Sequence, residues 1–376
     1  MGLHLIRNDL NIDFVGLRKI AYAISIILIL MGIASLVVKG GPRYGIDFAG
    51  GATIQIKLAQ PITDEDLKKN LAGSGLPDLV VQQFGKDNMD YLLRISVGDE
   101  TSSGIEGQVR QALDANLGGA QYEIQRTEMV GPKVGADLRG KAVEAIYYSI
   151  LLIAFYISGR FEFRWLTAGV IAAVLGGTMF GIEYVCGLFG LPEPNKIWLT
   201  FAAIGITIIL CWRFGLIFAL GAIISMLHDV LITVGLFSLM DKEFDLTIIA
   251  ALLTLVGYSL NDTIIVYDRI RENLSKDTVS PLSTILNQSI NQTLSRTVLT
   301  SGTTLFVVVA LMIWGGGIIY DFALVMCMGV IIGTLSSIFV ASPVLLAFSN
   351  SLSREDFRPK KDNRPRGEDG RLAAQV

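Results

Sequence analysis

An acidic residue lies inside one of the apolar stretches of the sequence. Asp262 belongs to the segment Gly257–Thr263, and apolar residues continue beyond it. A charged carboxylate at the centre of a bilayer costs several kcal/mol, so intramembrane acids are rare and often functional. Helical spacing places Ser259 and Thr263 near Asp262 on one face, which predicts hydroxyl partners for the carboxylate. Asn261 is a further polar neighbour. The carboxyl group could load and unload a proton as its surroundings change, or it could hold helices together through hydrogen bonds.

A cation lies in a second polar segment, where the next apolar stretch begins. Arg296 falls on one helical stripe with Thr300 and Thr303, which runs from the membrane surface into the membrane. Because arginine stays protonated, it could pair with Asp262 in one state and be released in another. The alternative is a positive anchor at the membrane surface.

His228 and Asp229 form a third polar group, near the middle of another apolar stretch. One interpretation is a second relay site, or a partner that orients the first. The other is a hydrogen-bonded pair that keeps neighbouring helices in register. The sequence leaves both interpretations open.

The remaining residue types point away from metal, cofactor and nucleic-acid sites. Cys186, Cys211 and Cys327 all lie in apolar stretches, and none has a partner at the spacing of a metal site or a disulfide framework. With His4 and His228 as the only histidines, we predict no metal and no cofactor. The sequence has no basic face with interleaved aromatic residues, so nothing in it indicates a nucleic-acid partner.

Composition indicates the environment in which these residues act. The chain has 376 residues, of which 52% are hydrophobic and 17% are charged. Soluble domains carry about a quarter charged residues, so this balance indicates a membrane protein. A spanning helix needs roughly 20 mostly apolar residues. The sequence predicts eight such helices, at about 19–38, 142–158, 166–188, 197–212, 214–239, 246–267, 298–314 and 320–347.

Lysine and arginine predict the sidedness of the chain. Basic clusters precede the first span and follow the second, fourth, sixth and eighth, so all of them fall on one side. Because cytoplasmic loops are enriched in Lys and Arg, we predict that residues 1–18 and the tail at 349–376 are both cytoplasmic. The tail is rich in charged residues, Pro and Gly, which predicts disorder. The clusters before the tail contain Arg7, Arg18, Lys19, Arg160, Arg164, Arg213, Arg269 and Arg271.

Between the first two spans, residues 39–140 are predicted to form one extracytoplasmic domain. Its strands and helices are predicted in the order βαββαβ, which is that of a ferredoxin-like α+β fold. It carries no catalytic signature, so its predicted role is that of a binding or lever element. The predicted elements are strands at Ala52–Leu58, Leu79–Phe84, Tyr91–Val97 and Tyr122–Met129, a turn around Lys86, and helices from Thr63 to Leu71 and from Ser103 to Leu117.

Glycines mark the point where this domain meets the membrane. Gly45, Gly50 and Gly51 surround Asp47 just after the first span, and glycine permits tight backbone turns. Asp47 could accept hydrogen bonds from loop amides or face a proton route, and the sequence favours the structural role. Gly131–Gly135 is a similar turn into the second span.

Together these motifs resemble the SecF branch of the SecD/SecF protein-export family, within the RND-like transporter group. The resemblance covers almost the whole chain, and its most specific parts are Gly257–Asn273 and Ser289–Ser301. The other parts are Gly45–Gly51, Gly131–Gly135, the pair His228–Asp229 and residues 333–338. The implied architecture is a polytopic α-helical membrane protein. An RND-like bundle at 141–348 joins a first helix at 19–38 and one small ferredoxin-like domain.

The resemblance also implies a function. Such a chain pairs with SecD, associates with the SecYEG channel, has YajC as a further candidate partner, and uses proton flow to help a preprotein across the bacterial inner membrane. It implies that Asp262 is the family's proton-pathway aspartate and that Arg296 acts with it. Membrane lipids surround the bundle, and no enzymatic activity is implied. The sequence leaves the coupling ion open, because protons and Na⁺ both suit a buried carboxylate.

The chain departs from this family in one respect. SecF-like chains normally have six spans, and eight are predicted here. The additional helix pair at about 166–212 lies between the second span and the span that carries His228. The segment that begins with Arg160-Phe161 resembles the segment that begins with Arg213-Phe214. A duplicated helix pair and a chance similarity between apolar, glycine-rich spans both explain this.

Three other functions fit parts of the sequence. A self-contained RND-type exporter of small molecules or lipids would normally carry two large extracytoplasmic domains, and only one small domain is predicted. An intramembrane protease would need a second catalytic acid, for which Asp229 is the only other mid-span carboxylate. A passive assembly subunit would use Asp262 for structure alone.

Overall fold

The computed structural model describes residues 11–72, 74–77, 79–84, 89–96, 102–117, 121–190, 195–277 and 279–348. Arg7, the turn predicted around Lys86 and the tail at 349–376 lie outside these residues. The elements, in chain order, are α1 (Phe14–Val38), α2 (Ile46–Ala49), β1 (Gly51–Leu58), α3 (Asp64–Leu71), β2 (Val80–Phe84), β3 (Asp90–Ile95), α4 (Ser102–Asn116), β4 (Tyr122–Val130), α5 (Pro132–Glu162), α6 (Trp165–Phe189), α7 (Lys196–Arg213), α8 (Ile217–Leu239), α9 (Leu246–Lys276), α10 (Leu282–Trp314), α11 (Gly316–Ser336), a π-helical turn (Ser337–Ala341) and α12 (Ser342–Ala347).

Eight helical segments in the described residues are long and apolar enough to cross a membrane, as predicted. They are α1, α5, α6, α7, α8, α9, α10 and the composite segment Ile319–Ala347. Several begin or end beyond the apolar stretch that predicted them. Helix α10 starts at Leu282 instead of 298, and α9 runs to Lys276 instead of 267. Hydropathy detects only the part of a helix that suits lipid, whereas the helix continues where its polar ends are solvated.

The domain between α1 and α5 has the predicted βαββαβ order of elements. Its sheet has four antiparallel strands in the order β2-β3-β1-β4. Helix α3 begins at the predicted cap, because the Thr63 hydroxyl accepts a hydrogen bond from the Asp66 N–H at 3.2 Å. Leu67 and Leu113 bury their side chains from the two helices against Ile54 and Ile56 of β1. The domain therefore has a hydrophobic core of its own.

Helix α8 is the most buried spanning helix and forms the centre of the bundle. It packs against α1, α5, α9 and α11. Near its start, Phe218 stacks on Phe161 and meets the edge of Tyr267, with ring centroids 5.4 Å and 5.1 Å apart. The Tyr267 hydroxyl donates to the Ala341 carbonyl at 3.0 Å, inside the π-helical turn. Pro343 follows that turn, and because proline has no N–H and crowds the preceding turn, it accounts for the interrupted α-helical pattern.

Two glycines let α1 approach α8 closely. A Cβ added at Gly32 would lie 2.6 Å from the Cα of Gly235, and one added at Gly235 would lie 2.7 Å from the Cα of Gly32. One turn further on, the Ser35 and Ser238 hydroxyls are hydrogen-bonded at 3.0 Å. Small residues with interhelical hydrogen bonds are how helices associate in lipid, where the hydrophobic effect does not drive their contact.

We expect Gly235→Ala to loosen α1 and to lower the thermal stability of the purified protein. Overpacking of this kind costs about 1–3 kcal/mol, which corresponds to a fall of several degrees in the melting temperature. The control is Gly205→Ala, at a helical glycine where an added Cβ has nothing within 4 Å. Since alanine favours helix over glycine by about 1 kcal/mol, the control should be neutral or stabilising. Equal melting temperatures for both variants would contradict the close-packing interpretation.

Helices α6 and α7, the additional pair, pack on the outside of the bundle. Helix α6 contacts α5, and α7 contacts α5 and α8. At one end, Lys196 pairs with Glu144 at 3.1 Å. At the other, the Arg164 guanidinium donates to the Phe214 carbonyl at 2.5 Å and joins the two ends of the pair. The start of α6 and the end of α7 therefore lie at neighbouring points of the bundle.

Candidate functional site

The Asp262 carboxylate is buried between three helices, with 1% of its surface exposed. The Ser301 hydroxyl of α10 donates to Asp262 Oδ2 at 2.8 Å, and the Thr300 hydroxyl lies 3.5 Å from Oδ1. Thr334 of α11 donates to the Ser301 oxygen at 2.8 Å. A chain of hydroxyl groups thus leads from α11 through Ser301 to the acid. Within the described residues, no basic group lies within ion-pair distance of Asp262.

The Asp229 carboxylate is the centre of a second buried group, also with 1% of its surface exposed. Its Oδ2 accepts hydrogen bonds from Ser259 of α9 at 2.5 Å and Ser336 of α11 at 2.8 Å. Its Oδ1 lies 2.9 Å from Nδ1 of His228, whose Nε2 lies 2.8 Å from the Ser25 hydroxyl of α1. Asp229 therefore links four helices, α1, α8, α9 and α11.

The predicted partners of Asp262 on its own helix are wrong. Ser259 and Thr263 are buried, but the Ser259 hydroxyl donates to Asp229, and the Thr263 hydroxyl donates to the Ser259 carbonyl at 3.3 Å. Asn261 has an exposed side chain. Asp262 instead takes its partners from α10, because a side chain on the buried face points at neighbouring helices and not along its own.

Helix α11 connects the two acids. Thr334 reaches the Asp262 group and Ser336 reaches Asp229. A Cβ added at Gly333 would lie 2.9 Å from the Cβ of Ser259, so only a glycine allows α11 to approach α9 this closely. A shift of α11 along α9 would therefore alter the hydrogen bonds of both carboxylates at once.

Arg296 does not pair with Asp262 in this structure. Its side chain is exposed on α10, and it forms no ion pair in the part of the chain that the structure describes. The Thr300 hydroxyl donates mainly to its own helix, at 3.0 Å from the carbonyls of Arg296 and Thr297. The charge of Arg296 nevertheless acts on Asp262 from beyond ion-pair distance. A role of Arg296 in proton movement is a prediction.

Asp47 of the glycine motif lies at the start of α9, the helix that carries Asp262. Its Oδ2 accepts the Leu246 N–H at 3.0 Å, while Asp245 Oδ1 accepts the Ile248 N–H at 2.9 Å. Two carboxylates thus cap one helix, which agrees with the predicted acceptor role for Asp47. Gly50 adopts φ 81° directly after α2, a conformation that favours glycine.

The loop between α8 and α9 fastens the α+β domain to the bundle. Phe244 forms a bridge with Tyr44. Glu243 pairs with Arg43 at 3.2 Å and with Arg94 of β3 at 3.0 Å. Because the loop joins the helix of Asp229 to the helix of Asp262, a rotation of the domain would act on both.

Two acids of this loop have opposite pKa shifts. The hydrogen bond and charge of Lys39, with Arg43 nearby, lower the pKa of Asp241 below its ordinary value. Burial raises the pKa of Asp245, although the Ile248 N–H and Arg94 partly offset it. The ionised Asp241 carboxylate therefore stabilises the contact between this loop and the segment with Lys39 and Arg43. Burial, by contrast, opposes the ionisation of Asp245.

Ser259 and Thr300 were predicted as supporting residues and lie beside the acids, but three further hydroxyl groups were missed by sequence reasoning. Ser25, Ser301 and Ser336 lie on α1, α10 and α11, in apolar stretches where a serine is unremarkable. A search of each apolar stretch for hydroxyl residues could have found them as candidates, but their alignment with an acid depends on helix packing. Among the described residues, no group of three or more His, Cys, Asp or Glu side chains could hold a metal ion.

The fold and the site define a class of protein: a polytopic helical membrane protein that holds two hydroxyl-bonded acids inside a bundle beneath one small α+β domain. The sequence matches the family described as protein export membrane protein SecD/SecF, C-terminal, over residues 109–193 and 191–351. It also matches the SecD/SecF GG motif over residues 34–62. The chain belongs to the SecD/SecF family of protein export membrane proteins, which confirms the predicted resemblance.

Individual relatives agree with this assignment. The chain is 38% identical to the protein translocase subunit SecF of Desulfurispirillum indicum over 341 residues, which cover 89% of this chain and 91% of that protein. It is 37% identical to the SecF of Calditerrivibrio nitroreducens over 347 residues, covering 90% and 95% of the two chains. The crystal structure of SecDF from Thermus thermophilus is similar with a TM-score of 0.62 and 30% identity, over 93% of this chain and 40% of that one. The chain thus spans 40% of the length of that SecDF protein.

Proposed function

We propose that this chain is the SecF subunit of a SecDF complex that couples the proton motive force to protein translocation. Its partners in this proposal are SecD, the SecYEG channel and the translocating preprotein, with YajC as a further candidate. The observation that carries the proposal is Asp262, a carboxylate that is buried inside a spanning helix, is held by hydroxyl groups and forms no ion pair among the described residues.

The geometry around Asp262 suits a group that changes its protonation state. Ser301 can donate to the ionised carboxylate, and its hydroxyl can rotate to accept from a protonated one. Thr334 can donate either to Ser301 or to the Val330 carbonyl, at 2.8 Å and 2.7 Å. Both protonation states therefore find hydrogen-bond partners, and a change of packing by α11 can favour one over the other.

One polar face of the bundle marks where a partner helix would bind. Thr254, Gly257 and Asn261 lie exposed along α9, and Arg296 and Thr303 lie exposed along α10. Polar side chains that face lipid within the membrane are costly. A second subunit that covered this face would remove the cost and would bring its own charged groups to Asp262 and Arg296. SecD is the proposed occupant, because this chain accounts for only part of the SecDF protein to which it is similar.

We expect Gly257→Leu to weaken association with SecD by about tenfold or more. The leucine side chain would project between α9 and the partner helix and would keep the two helices apart. Copurification of tagged SecD with each variant measures the effect. The control is Gly177→Leu on α6, because both glycines are exposed and neither has an atom within 4 Å of an added Cβ. Equal loss of SecD in both variants would place the interface elsewhere.

The test of the proposed function is a reconstitution. Inverted membrane vesicles containing SecYEG and SecD, with and without this chain, are compared for preprotein translocation in the presence and absence of a proton gradient. We expect the gradient-dependent part of translocation to require this chain. Translocation that responds fully to the gradient without the chain would refute the proposal. An experiment with a sodium gradient in place of the proton gradient identifies the coupling ion.

In this proposal the protein lies in the bacterial inner membrane with both ends of the chain in the cytoplasm. The described basic residues at the ends of α5, α7 and α9 support this orientation, since they lie at one end of the bundle. The α+β domain is then periplasmic, where it could meet an emerging preprotein.

A further inference from the structure

Three arginines lie at helix ends near the base of the additional helix pair. Arg164 precedes α6 and bonds the carbonyl of Phe214, which directly follows Arg213. Arg271 of α9 lies over the ring of Phe163, with its guanidinium carbon 4.4 Å from the ring centroid. Phe163 is the neighbour of Arg164, so these contacts bring residues from three helix ends into one cluster.

These arginines differ from their neighbours in making no close ion pair, although the charge of Arg164 also acts on the buried carboxylate of Glu162. Arg160 pairs with Asp268 at 2.7 Å, and Arg269 pairs with Glu272. Within the described residues, Arg164, Arg213 and Arg271 form no ion pair. Arg164 and Arg271 each bond a backbone carbonyl. Since a guanidinium group has five N–H donors, each retains donors for another ligand.

Exposed aromatic residues are sequence neighbours of Arg164 and Arg213 at the same end of the bundle. Trp165, Trp212 and Phe163 expose 46%, 60% and 66% of their surface. Aromatic side chains at this level are typical of the boundary between lipid headgroups and acyl chains. The Phe163 backbone adopts a left-handed φ of 54° at the end of α5, which is uncommon for a residue of this size and directs its ring outward under Arg271.

We propose that Arg164, Arg213 and Arg271 form a binding site for the phosphate headgroup of an anionic phospholipid. Guanidinium groups bind phosphate oxygens through paired hydrogen bonds, and basic pockets between spanning helices bind anionic headgroups. The aromatic rings would contact the upper acyl chains. The helix pair that distinguishes this chain from six-span relatives would thus gain a defined lipid contact at its base. This inference does not depend on the proposed export function.

The test measures lipid binding to the purified full chain by native mass spectrometry. Defined amounts of phosphatidylglycerol or phosphatidylcholine are added to the wild type and to Arg164→Gln/Arg213→Gln/Arg271→Gln. We expect the triple variant to bind phosphatidylglycerol at least about tenfold more weakly, with phosphatidylcholine binding unchanged. The matched control is Arg110→Gln/Arg126→Gln/Arg269→Gln, which removes the same charge from arginines that pair with acids.

Three outcomes would overturn the proposal. Equal loss of phosphatidylglycerol in both triple variants would show attraction to overall charge only, and equal binding of phosphatidylcholine by the wild type would show no headgroup selectivity. Competition by millimolar inorganic phosphate would identify a general phosphate site. If the triple variant fails to fold, Arg213→Gln decides the matter, since its exposed side chain makes no hydrogen bond in the described structure. A loss of about threefold or more supports the site, and unchanged affinity refutes it.

Discussion

The Asp262→Asn protein is expected to lose the gradient-dependent part of preprotein translocation while it still folds and binds SecD. Asparagine has nearly the shape of aspartate, and its oxygen can still accept the hydrogen bond from Ser301. It cannot gain or lose a proton in this environment. If protonation of Asp262 drives the coupling, the gradient should raise the rate for the wild type and have almost no effect on the variant.

The measurement uses vesicles with SecYEG, SecD and either protein, with and without a proton gradient. Asp13→Asn is the matched control, because Asp13 caps α1 at the bundle surface through the Gly16 N–H and asparagine caps a helix equally well. Copurified SecD and the melting temperature show whether Asp262→Asn is assembled and folded. Full gradient dependence in an assembled Asp262→Asn complex would reduce this residue to a structural role.

The proposed proton site contains both Asp262 and Arg296, and the two form no ion pair among the described residues of this chain. The guanidinium is exposed on the same polar face as Gly257 and Asn261, so in the proposed complex it would meet groups of SecD. The resemblance to the family predicts that Arg296 acts with Asp262. The structure of one subunit gives Asp262 its hydroxyl partners and leaves Arg296 without an acidic one among the described residues. The proposed charge exchange therefore depends on the interface between subunits.

Some features follow directly from the sequence, and Asp262 shows why. An acid inside an apolar stretch can be recognised in the sequence itself. The number of spanning helices and the buried position of Asp262 both follow from local hydropathy, so both could be predicted. Thr63 illustrates the same for the α+β domain, where the cap depends only on residues three apart. Local rules suffice when all the interacting groups lie within one or two turns.

Contacts between distant elements could not be predicted in this way. Ser301 and Asp262 are 39 positions apart, and their contact requires a particular rotation of α10 about its axis, which the polar residues spread around that helix do not specify. Asp47 reaches the N-terminus of α9 for the same reason, across 199 positions. Serine is also a small residue suited to helix packing, so its type does not distinguish a partner of an acid from a packing residue.

Asp229→Ala is expected to destabilise the protein strongly, by about 3 kcal/mol. The substitution would leave the hydroxyls of Ser259 and Ser336 and one ring nitrogen of His228 without their present acceptor, in a place with almost no solvent. Each buried polar group that loses its partner costs about 1–3 kcal/mol, and partial repacking reduces the sum. The melting temperature of the purified protein measures the effect. Thr233→Ala is the control, because Thr233 is equally buried on α8 and its hydroxyl has no partner among the described residues.

The Asp229→Asn protein separates the two interpretations of this acid. Asparagine keeps one acceptor oxygen and the side-chain volume, so the loss of stability should be only about 1 kcal/mol. The full set of hydrogen bonds from α8, α9 and α11 to Asp229 favours a positioning role, in which the acid holds α9 and α11 around Asp262. We therefore expect Asp229→Asn to retain most gradient-dependent translocation. If this folded variant instead lost that activity as completely as Asp262→Asn, Asp229 and His228 would form a second step of the proton path, because only the ability to ionise would have been removed.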